Sequence, residues 1–155
     1  MTIVRRRTIL PDEMISKDAV IGLIGSLREK YSRFLEKELK ACGIKGITGS
    51  HGAIFACLYQ SGGRMKAMEI AKKIGRSKST VTELVNKLES LGYVNKSNCC
   101  VDGRCIYVEL TDKGRAVKKD FDIISKRLIG TAYKGFTDEE KEILVSGLEK
   151  MRGNF

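Results

Sequence analysis

The sequence predicts a mainly α-helical α+β fold with one small β-hairpin at its centre. Two observations identify the centre: residues 65–94 have the pattern of two helices joined by a tight turn, and residues 93–110 alternate like an antiparallel hairpin. The third observation is that apolar stripes with helical spacing lie on either side, within 13–42 and 111–151. Because no linker or internal repeat interrupts the pattern, we expect a single domain over residues 1–155.

The helix pair begins with a short helix from about Met68 to Ile74, followed by a turn at Gly75-Arg76. Ser77 opens a longer helix, because its hydroxyl can accept a hydrogen bond from a backbone N–H of the first turn. Apolar residues at offsets of three and four form the predicted buried stripe of this helix: Val81, Leu84, Val85, Leu88 and Leu91. Its opposite face carries polar side chains and a cation: Lys78, Ser79, Thr82, Glu83 and Asn86. Such a face suits a DNA major groove, although ordinary amphipathic surface helices share the pattern.

The hairpin that follows makes the unit a winged helix. Its predicted strands are 93–96 and 106–110, with Asp102-Gly103 as the turn dipeptide and Arg104 near the tip. The segments 77–88 and 102–115, which include a wing Asp-x-Arg followed by Leu-Thr-x-x-Gly, resemble the MarR family of transcriptional regulators. The resemblance covers essentially the whole chain. It implies a winged helix-turn-helix core flanked by N- and C-terminal dimerisation helices.

The flanking segments fit that arrangement. We expect the winged helix-turn-helix at 48–110 and the dimerisation helices at 12–42 and 111–153. Asp12 can cap the first helix, which ends near Cys42 before Gly43, and Thr48 can cap the second helix. The apolar stripe of the first helix is Val20, Leu23, Ile24, Leu27, Tyr31, Phe34, Leu35 and Leu39.

Two further helices are predicted after the wing. Thr111 can cap the fifth helix, and Thr137 with Glu140 forms a capping box at the start of the last. The residues of the fifth helix that are spaced for burial are Val117, Phe121, Ile124 and Leu128. Those of the last helix are Ile143, Leu144, Leu148 and Met151.

The charge of the chain points to a polyanionic partner. It holds 29 basic and 19 acidic residues, a formal net charge of +10, and the winged helix and N-terminal arm carry most of the excess. DNA is the natural partner for such a surface, although a solvated basic surface with no partner remains open. The resemblance implies a homodimer on double-stranded DNA with a pseudo-palindromic operator, and a repressor released by a small molecule.

Catalysis, cofactors and metals find little support. The chain has a single histidine, no Gly-rich phosphate loop and no His-Glu-x-x-His pattern, so we expect no enzyme, cofactor or metal. Five cysteines without Cys-x-x-Cys spacing indicate a reducing cytoplasm, and no window is apolar enough to span a membrane. Cys99, Cys100 and Cys105 cluster in the wing. We interpret them as reduced thiols, with thiol-based redox sensing as an alternative and zinc as a weaker one.

The predicted DNA-binding residues are Ser77, Lys78, Ser79, Thr80, Thr82, Asn86, Lys87 and Arg104. Asn86 can pair with adenine in a bidentate manner, Lys78 can reach guanine or phosphate, and Lys87 suits the DNA backbone. Arg104 suits a narrow minor groove, or it forms an ion pair with Asp102 that stiffens the hairpin.

The resemblance also implies an effector site. Small aromatic or anionic molecules would bind in the crevice between the dimerisation helices and the winged helix. The predicted effector-binding residues are Arg28, Tyr31, His51 and Tyr59. A different class of function also stays open, in which the winged helix is a protein–protein assembly module.

Overall fold

The computed structural model describes residues 19–98 and 105–155 and contains seven helices and three strands there. The helices are α1 (Ala19–Ala41), α2 (Gly49–Gln60), α3 (Ala67–Ile74), α4 (Lys78–Ser90), α5 (Asp112–Ala116), α6 (Lys118–Ala132) and α7 (Asp138–Arg152). The strands are β1 (Arg64–Lys66), β2 (Val94–Asn98) and β3 (Ile106–Leu110). The predicted fold class is confirmed.

The sheet has three strands where the sequence predicted two. Its order is β1-β3-β2, and both pairings are antiparallel. Met65 lies opposite Val108, and Val94 lies opposite Leu110. With three residues and only Met65 buried, β1 is too short to show an alternating pattern. Its pairing with β3 comes from the tertiary fold, which places both strands together after the turn that ends α2.

The core lies between the helix-turn-helix and the sheet. The predicted stripe of α4 is confirmed: Val81, Val85 and Leu88 are buried, and Leu84 and Leu91 are half-buried against them. They pack with side chains of α2, α3, β2 and β3 that are fully buried, namely Ile54, Phe55, Leu58, Ile70, Val94 and Val108. This packing holds α4 by its apolar side and leaves its polar side outward.

The predicted fifth helix is divided into α5 and α6. Thr111 caps α5 as expected, since its hydroxyl accepts the N–H of Gly114 at 3.1 Å. Val117 then interrupts the helix with φ −80° and ψ 0°. The apolar spacing continues across this break, which is why the sequence pattern gave no sign of it. Ile124 is buried and Phe121 is half-buried, as predicted.

The terminal helices expose much of their apolar surface on the single chain. The predicted start of α1, from Asp12 to residue 18, lies outside the described residues. Leu23 and Leu27 of α1 are 59% and 64% exposed, and α7 has no buried residue. The capping box of α7 is confirmed: the Thr137 N–H donates to Glu140 Oε2 at 2.8 Å, and the Glu140 N–H donates to Thr137 Oγ1 at 3.2 Å.

Within residues 19–98 and 105–155, no helix combines the length and apolar character needed to cross a membrane.

Candidate nucleic-acid interface

At the start of α4, two hydroxyl groups lie within hydrogen-bonding distance of the Ser77 hydroxyl. Ser77 precedes the helix with an extended backbone, and its Oγ accepts the Thr80 N–H at 3.2 Å. The same oxygen lies 2.9 Å from Ser79 Oγ and 2.9 Å from Thr80 Oγ1. Ser77 is therefore a helix cap first, and its oxygen is already engaged. The first turn holds no acidic residue, so no side-chain carboxylate of that turn offsets the positive end of the helix dipole.

The middle of the exposed face of α4 has two kinds of polar groups. Thr82 donates its hydroxyl to the Lys78 carbonyl at 2.9 Å, which leaves the Thr82 oxygen as an acceptor. Lys78 and Lys87 are exposed, and neither takes part in an ion pair with any residue that the structure describes. Glu83 and Asn86 are also exposed. The outer face thus offers free cations next to short hydrogen-bonding groups.

The recognition helix is tied to the wing. Lys96 on β2 donates from Nζ to Asn86 Oδ1 at 2.7 Å and lies 2.8 Å from Glu89 Oε2. Its backbone N–H donates to Glu89 Oε1 at 3.1 Å. Side chains of α4 and β2 therefore meet on the polar side of the molecule. Arg104, Cys99 and Cys100 lie outside the described residues, so their assignments stay predictions.

A first cavity lies between α1, α2 and α6. Its volume is about 450 Å³. Tyr31 and Tyr59, both predicted to contact an effector, line it together with Phe121 of α6. Phe55 and Phe121 contact each other with ring centroids 4.7 Å apart and planes tilted by 34°, and Gly52 adds no side chain to the wall. The size and aromatic lining suit a small planar ligand.

Two polar features of the first cavity were not predicted. Lys118 lines it, pairs with Asp122 at 2.6 Å, and lies 5.5 Å from the centre of the Tyr59 ring. The Tyr59 hydroxyl is already engaged, because it donates to the Gly114 carbonyl at 2.8 Å. Burial, and then the negative charge of Asp122, raise the pKa of Tyr59. Tyr59 therefore stays neutral, its ring lines the cavity, and its hydroxyl is held by the Gly114 carbonyl of α5.

A second cavity, of about 490 Å³, lies between α1, the start of α2 and the turn of the helix-turn-helix. Arg28 lines this cavity and not the first one, and Arg76 from the turn lines it as well. Both arginines are exposed. Tyr31, Thr48, Gly49 and Ala53 line both cavities, which are therefore adjacent. Two guanidinium groups beside a helix N-terminus can hold an anion.

His51 has a structural role at the start of α2. Its side chain is buried, and its Nδ1 accepts the Thr48 N–H at 3.1 Å, so it completes the cap that Thr48 begins. Nδ1 must then be unprotonated and Nε2 carries the hydrogen, which has no partner among the described residues. Burial, and then the positive charge of Lys87, lower the pKa of His51. It lines neither cavity, so its predicted contact with an effector finds no support in this arrangement.

Comparison with known proteins bears on this geometry. Residues 47–106, from the loop before α2 to the start of β3, match the MarR family. A solved MarR protein from Peptoclostridium difficile has the same fold, with a TM-score of 0.74, 25% sequence identity, and coverage of 97% of this chain and 94% of that chain. The winged-helix portion of the chain is therefore MarR-like, and the chain is similar to transcriptional regulators over most of its length.

Other transcriptional regulators align with most of this chain. An HTH-type transcriptional regulator of Bacillus subtilis, YwhA, is 25% identical over 130 residues, which are 84% of this chain and 93% of that protein. The organohalide-sensing regulator RdhR-CbdbA1625, solved with 2,4-dichlorophenol bound, has a TM-score of 0.78 at 21% identity and covers 97% of this chain and 88% of its own. Reduced AbfR, solved bound to DNA, has a TM-score of 0.74 at 20% identity, with coverage of 88% and 92%. Other curated relatives align over only 44% to 57% of their own length.

Sequence reasoning missed three residues near the candidate sites of this chain. Arg76 puts a positive charge in the turn of the helix-turn-helix, and that charge was the available signal. Lys118 and Lys96 carried no signal, because a lysine on a helix or an edge strand is usually solvated. Among the described residues, no three His, Cys, Asp or Glu side chains lie close enough together to hold a metal ion. Of the described thiols, Cys57 is buried, and burial raises its pKa.

Proposed function

We propose that this chain is a homodimeric, sequence-specific repressor that binds double-stranded DNA and is released by a small aromatic effector. The observation that carries the proposal is the outward face of α4, which combines free cations with hydrogen-bonding groups on a helix anchored by its apolar side. A chain of net charge +10 adds the long-range attraction to DNA that such a face requires. Similarity to HTH-type transcriptional regulators and to a regulator solved bound to DNA supports the DNA partner.

On this proposal, some residues of α4 contact the DNA phosphates and one residue recognises a base. Lys78 and Lys87 neutralise phosphates, and the exposed first turn adds the positive end of the helix dipole. Asn86 is the base-reading residue, because an amide can donate to and accept from the edge of adenine. Ser79, Thr80 and Thr82 contribute oxygen acceptors or hydroxyl donors at the groove edge. Ser77 acts through the helix cap.

Dimerisation is supported by the surface that the single chain leaves uncovered. Ile143 is 72% exposed and Leu27 is 64% exposed, on two helices at opposite ends of the sequence. An isolated 15-residue helix such as α7, with no buried residue, gains little stability by itself. A second copy of the chain would cover both helices and would present two copies of α4 to a pseudo-palindromic operator.

The two adjacent cavities support an aromatic effector. The first cavity offers aromatic walls for a ring, and the second offers Arg28 and Arg76 for a carboxylate or phenolate. The phenol bound to the organohalide-sensing regulator is a ligand of this kind. We infer that an aromatic acid places its ring against Tyr31 and its anionic group towards the arginines.

Release from DNA follows from where Arg76 sits. It immediately precedes Ser77, the cap of α4, whereas Arg28 lies on α1. A ligand held by both would fix the distance between a dimerisation helix and the recognition helix. It would lower operator affinity only if the fixed distance differs from the distance that DNA needs.

Selection of bound duplexes from a random pool, followed by ligand titration, tests the proposal. We expect one pseudo-palindromic motif, log affinity that falls linearly with log salt, and release by salicylate or 2,4-dichlorophenol. Weak retention of all duplexes would favour a protein–protein assembly module instead. If saturating ligand binds and leaves operator affinity unchanged, the cavities have no regulatory role.

A matched pair of variants locates the anion site. Arg76→Leu should weaken salicylate binding more than binding of neutral phenols, because only the carboxylate needs the guanidinium. Arg33→Gln removes a charge from α1 outside both cavities, where Arg33 pairs with Glu29 at 3.9 Å, and should leave salicylate affinity unchanged. Equal effects of the two variants would place the anion elsewhere.

A further inference from the structure

The polar side of the molecule contains a three-residue cluster that joins the recognition helix to the wing. Asn86 and Glu89 stand three residues apart on α4 and therefore share a face of the helix. Lys96 reaches both from β2, with Nζ 2.7 Å from Asn86 Oδ1 and 2.8 Å from Glu89 Oε2. None of the three side chains is part of the buried core.

We propose that Lys96 is a positioning residue for base recognition: its ammonium group, held by Glu89, fixes the Asn86 side-chain amide in one orientation before DNA binds. The inference rests on the proposed function, because it concerns how α4 reads a sequence. It assigns to Lys96 a role in specificity and not only in charge attraction.

The lysine itself is held at two points. Glu89 uses one carboxylate oxygen for the Lys96 ammonium and the other for the Lys96 backbone N–H, the latter at 3.1 Å. The hydrogen bond from Lys96 keeps the pKa of Glu89 below its ordinary value, so the carboxylate stays charged. Lys96 also lies opposite Val108 in the sheet, and Val108 is fully buried. The lysine is therefore carried by a strand that is paired within the sheet.

The ammonium can select one of the two orientations of the amide. An ammonium group only donates hydrogen bonds, so it pairs with the oxygen of Asn86 and repels the amide NH₂. The amide oxygen keeps a second lone pair, and Nδ2 keeps both hydrogens. An amide held in this way can still accept from adenine N6 and donate to N7, without first choosing between two orientations. Ordering of one side chain before binding corresponds to an affinity gain of about two- to tenfold.

The test compares Lys96→Met with Lys87→Met. Methionine keeps an unbranched stem and removes the donors, and each variant loses one positive charge. We expect Lys96→Met to reduce discrimination at one base pair per half-site by about two- to tenfold, at the same base pair that Asn86→Ala affects. The Asn86→Ala/Lys96→Met double variant should discriminate there no worse than Asn86→Ala alone. Lys87→Met should weaken all duplexes alike.

Uniform weakening by Lys96→Met, with additive effects in the double variant, would overturn the inference and leave Lys96 as a phosphate contact. Glu89→Gln loosens the same cluster from the helix side and provides a second variant if Lys96→Met does not fold. Nuclear magnetic resonance of the Asn86 side-chain amide in the free protein gives a readout independent of DNA. The order parameter of that amide should fall in Lys96→Met and stay unchanged in Lys87→Met. An unchanged order parameter in both variants would overturn the inference that Lys96 orients Asn86. Absence of sequence preference in the unaltered protein would overturn only the proposed function.

Discussion

At the residue scale, the exposed face of α4 divides into groups with free hydrogen-bonding capacity and groups already engaged within the protein. Lys78 and Lys87 are free among the described residues, whereas Ser77 is committed to the helix cap and Asn86 already accepts from Lys96. Spacing along a helix predicts which residues share a face, and it did so correctly for this one. It does not predict which of them another element will hold, because Lys96 is ten residues away on a strand.

The first residue-scale prediction separates base recognition by Asn86 from phosphate binding by Lys87. Asn86→Ala should relax base preference at one position per half-site, at a cost of about 1–3 kcal/mol, because it removes a bidentate contact. Lys87→Ala should weaken all sequences alike and reduce the slope of log affinity against log salt by about one. Salt-dependent titrations with operator and random duplexes measure both quantities. Equal effects of the two variants on both duplexes would contradict the assignment.

The second residue-scale prediction concerns His51 and pH. Because its pKa in the folded chain lies below 6.5, the unfolded chain binds the proton more readily. The free energy of unfolding should therefore decrease as pH falls below about 6.5, while stability above that pH is unaffected. His51→Gln can still accept the Thr48 N–H but cannot become charged, so it should remove this part of the dependence. Denaturant unfolding from pH 8 to pH 5 checks it, and a pH dependence that the variant leaves intact would exclude His51 as the cause.

At the element scale, the sequence predicted the helices and the wing strands but not the details that tertiary contacts decide. The terminus of α3 at a left-handed Gly75, with φ 63°, and the cap of α4 at Ser77 were both readable, because the chemistry that ends or starts a helix is local. Strand β1 was missed because three residues are too few to show the alternation of apolar and polar side chains that predicts a strand. The break at Val117 was missed because the apolar spacing continues through it.

The junction between the wing and α5 provides the element-scale prediction. A Cβ on Gly114 would lie 2.2 Å from the Tyr93 carbonyl oxygen, so the two backbones can approach this closely only with glycine. Gly114→Ala should lower the free energy of unfolding by more than about 2 kcal/mol, because rigid backbone must move. It should also disturb the hydrogen bond from Tyr59 to the Gly114 carbonyl.

Gly130→Ala is the matched control for that substitution. Gly130 lies within α6, and a Cβ added there would meet nothing within 4 Å beyond the backbone of its own helix turn. Alanine there should leave stability unchanged or raise it by about 0.5–1 kcal/mol, because glycine is a poor helix former. Thermal unfolding of both variants provides the comparison. If Gly114→Ala leaves the free energy of unfolding unchanged, the Tyr93 backbone can move aside without loss of stability.

At the scale of the whole molecule, the fold of one chain leaves its two terminal segments only partly covered. One described ion pair joins them to each other, between Arg127 of α6 and Glu38 of α1 at 2.9 Å. The sequence predicted apolar stripes on these helices, and those stripes are present, but their packing depends on a second surface that one chain does not contain.

Removing residues 1–40 should therefore produce aggregation or unfolding, which size-exclusion chromatography would detect. A folded monomer from that truncation would contradict dimerisation through α1.

The last prediction uses the full chain and one exposed residue of α7. Ile143→Glu should have little effect on a monomer, because the side chain is 72% exposed there and surface changes are usually within about 0.5 kcal/mol. In a dimer that covers α7, the same glutamate would be an unpaired charge at an apolar interface and should shift the equilibrium strongly towards monomer. Lys150→Glu alters charge on an exposed position of the same helix and serves as the control. Sedimentation equilibrium over a range of concentrations measures the association, and the melting temperature of the unaltered chain should rise with concentration. A monomeric unaltered chain, or identical association in both variants, would show that α7 does not form the interface.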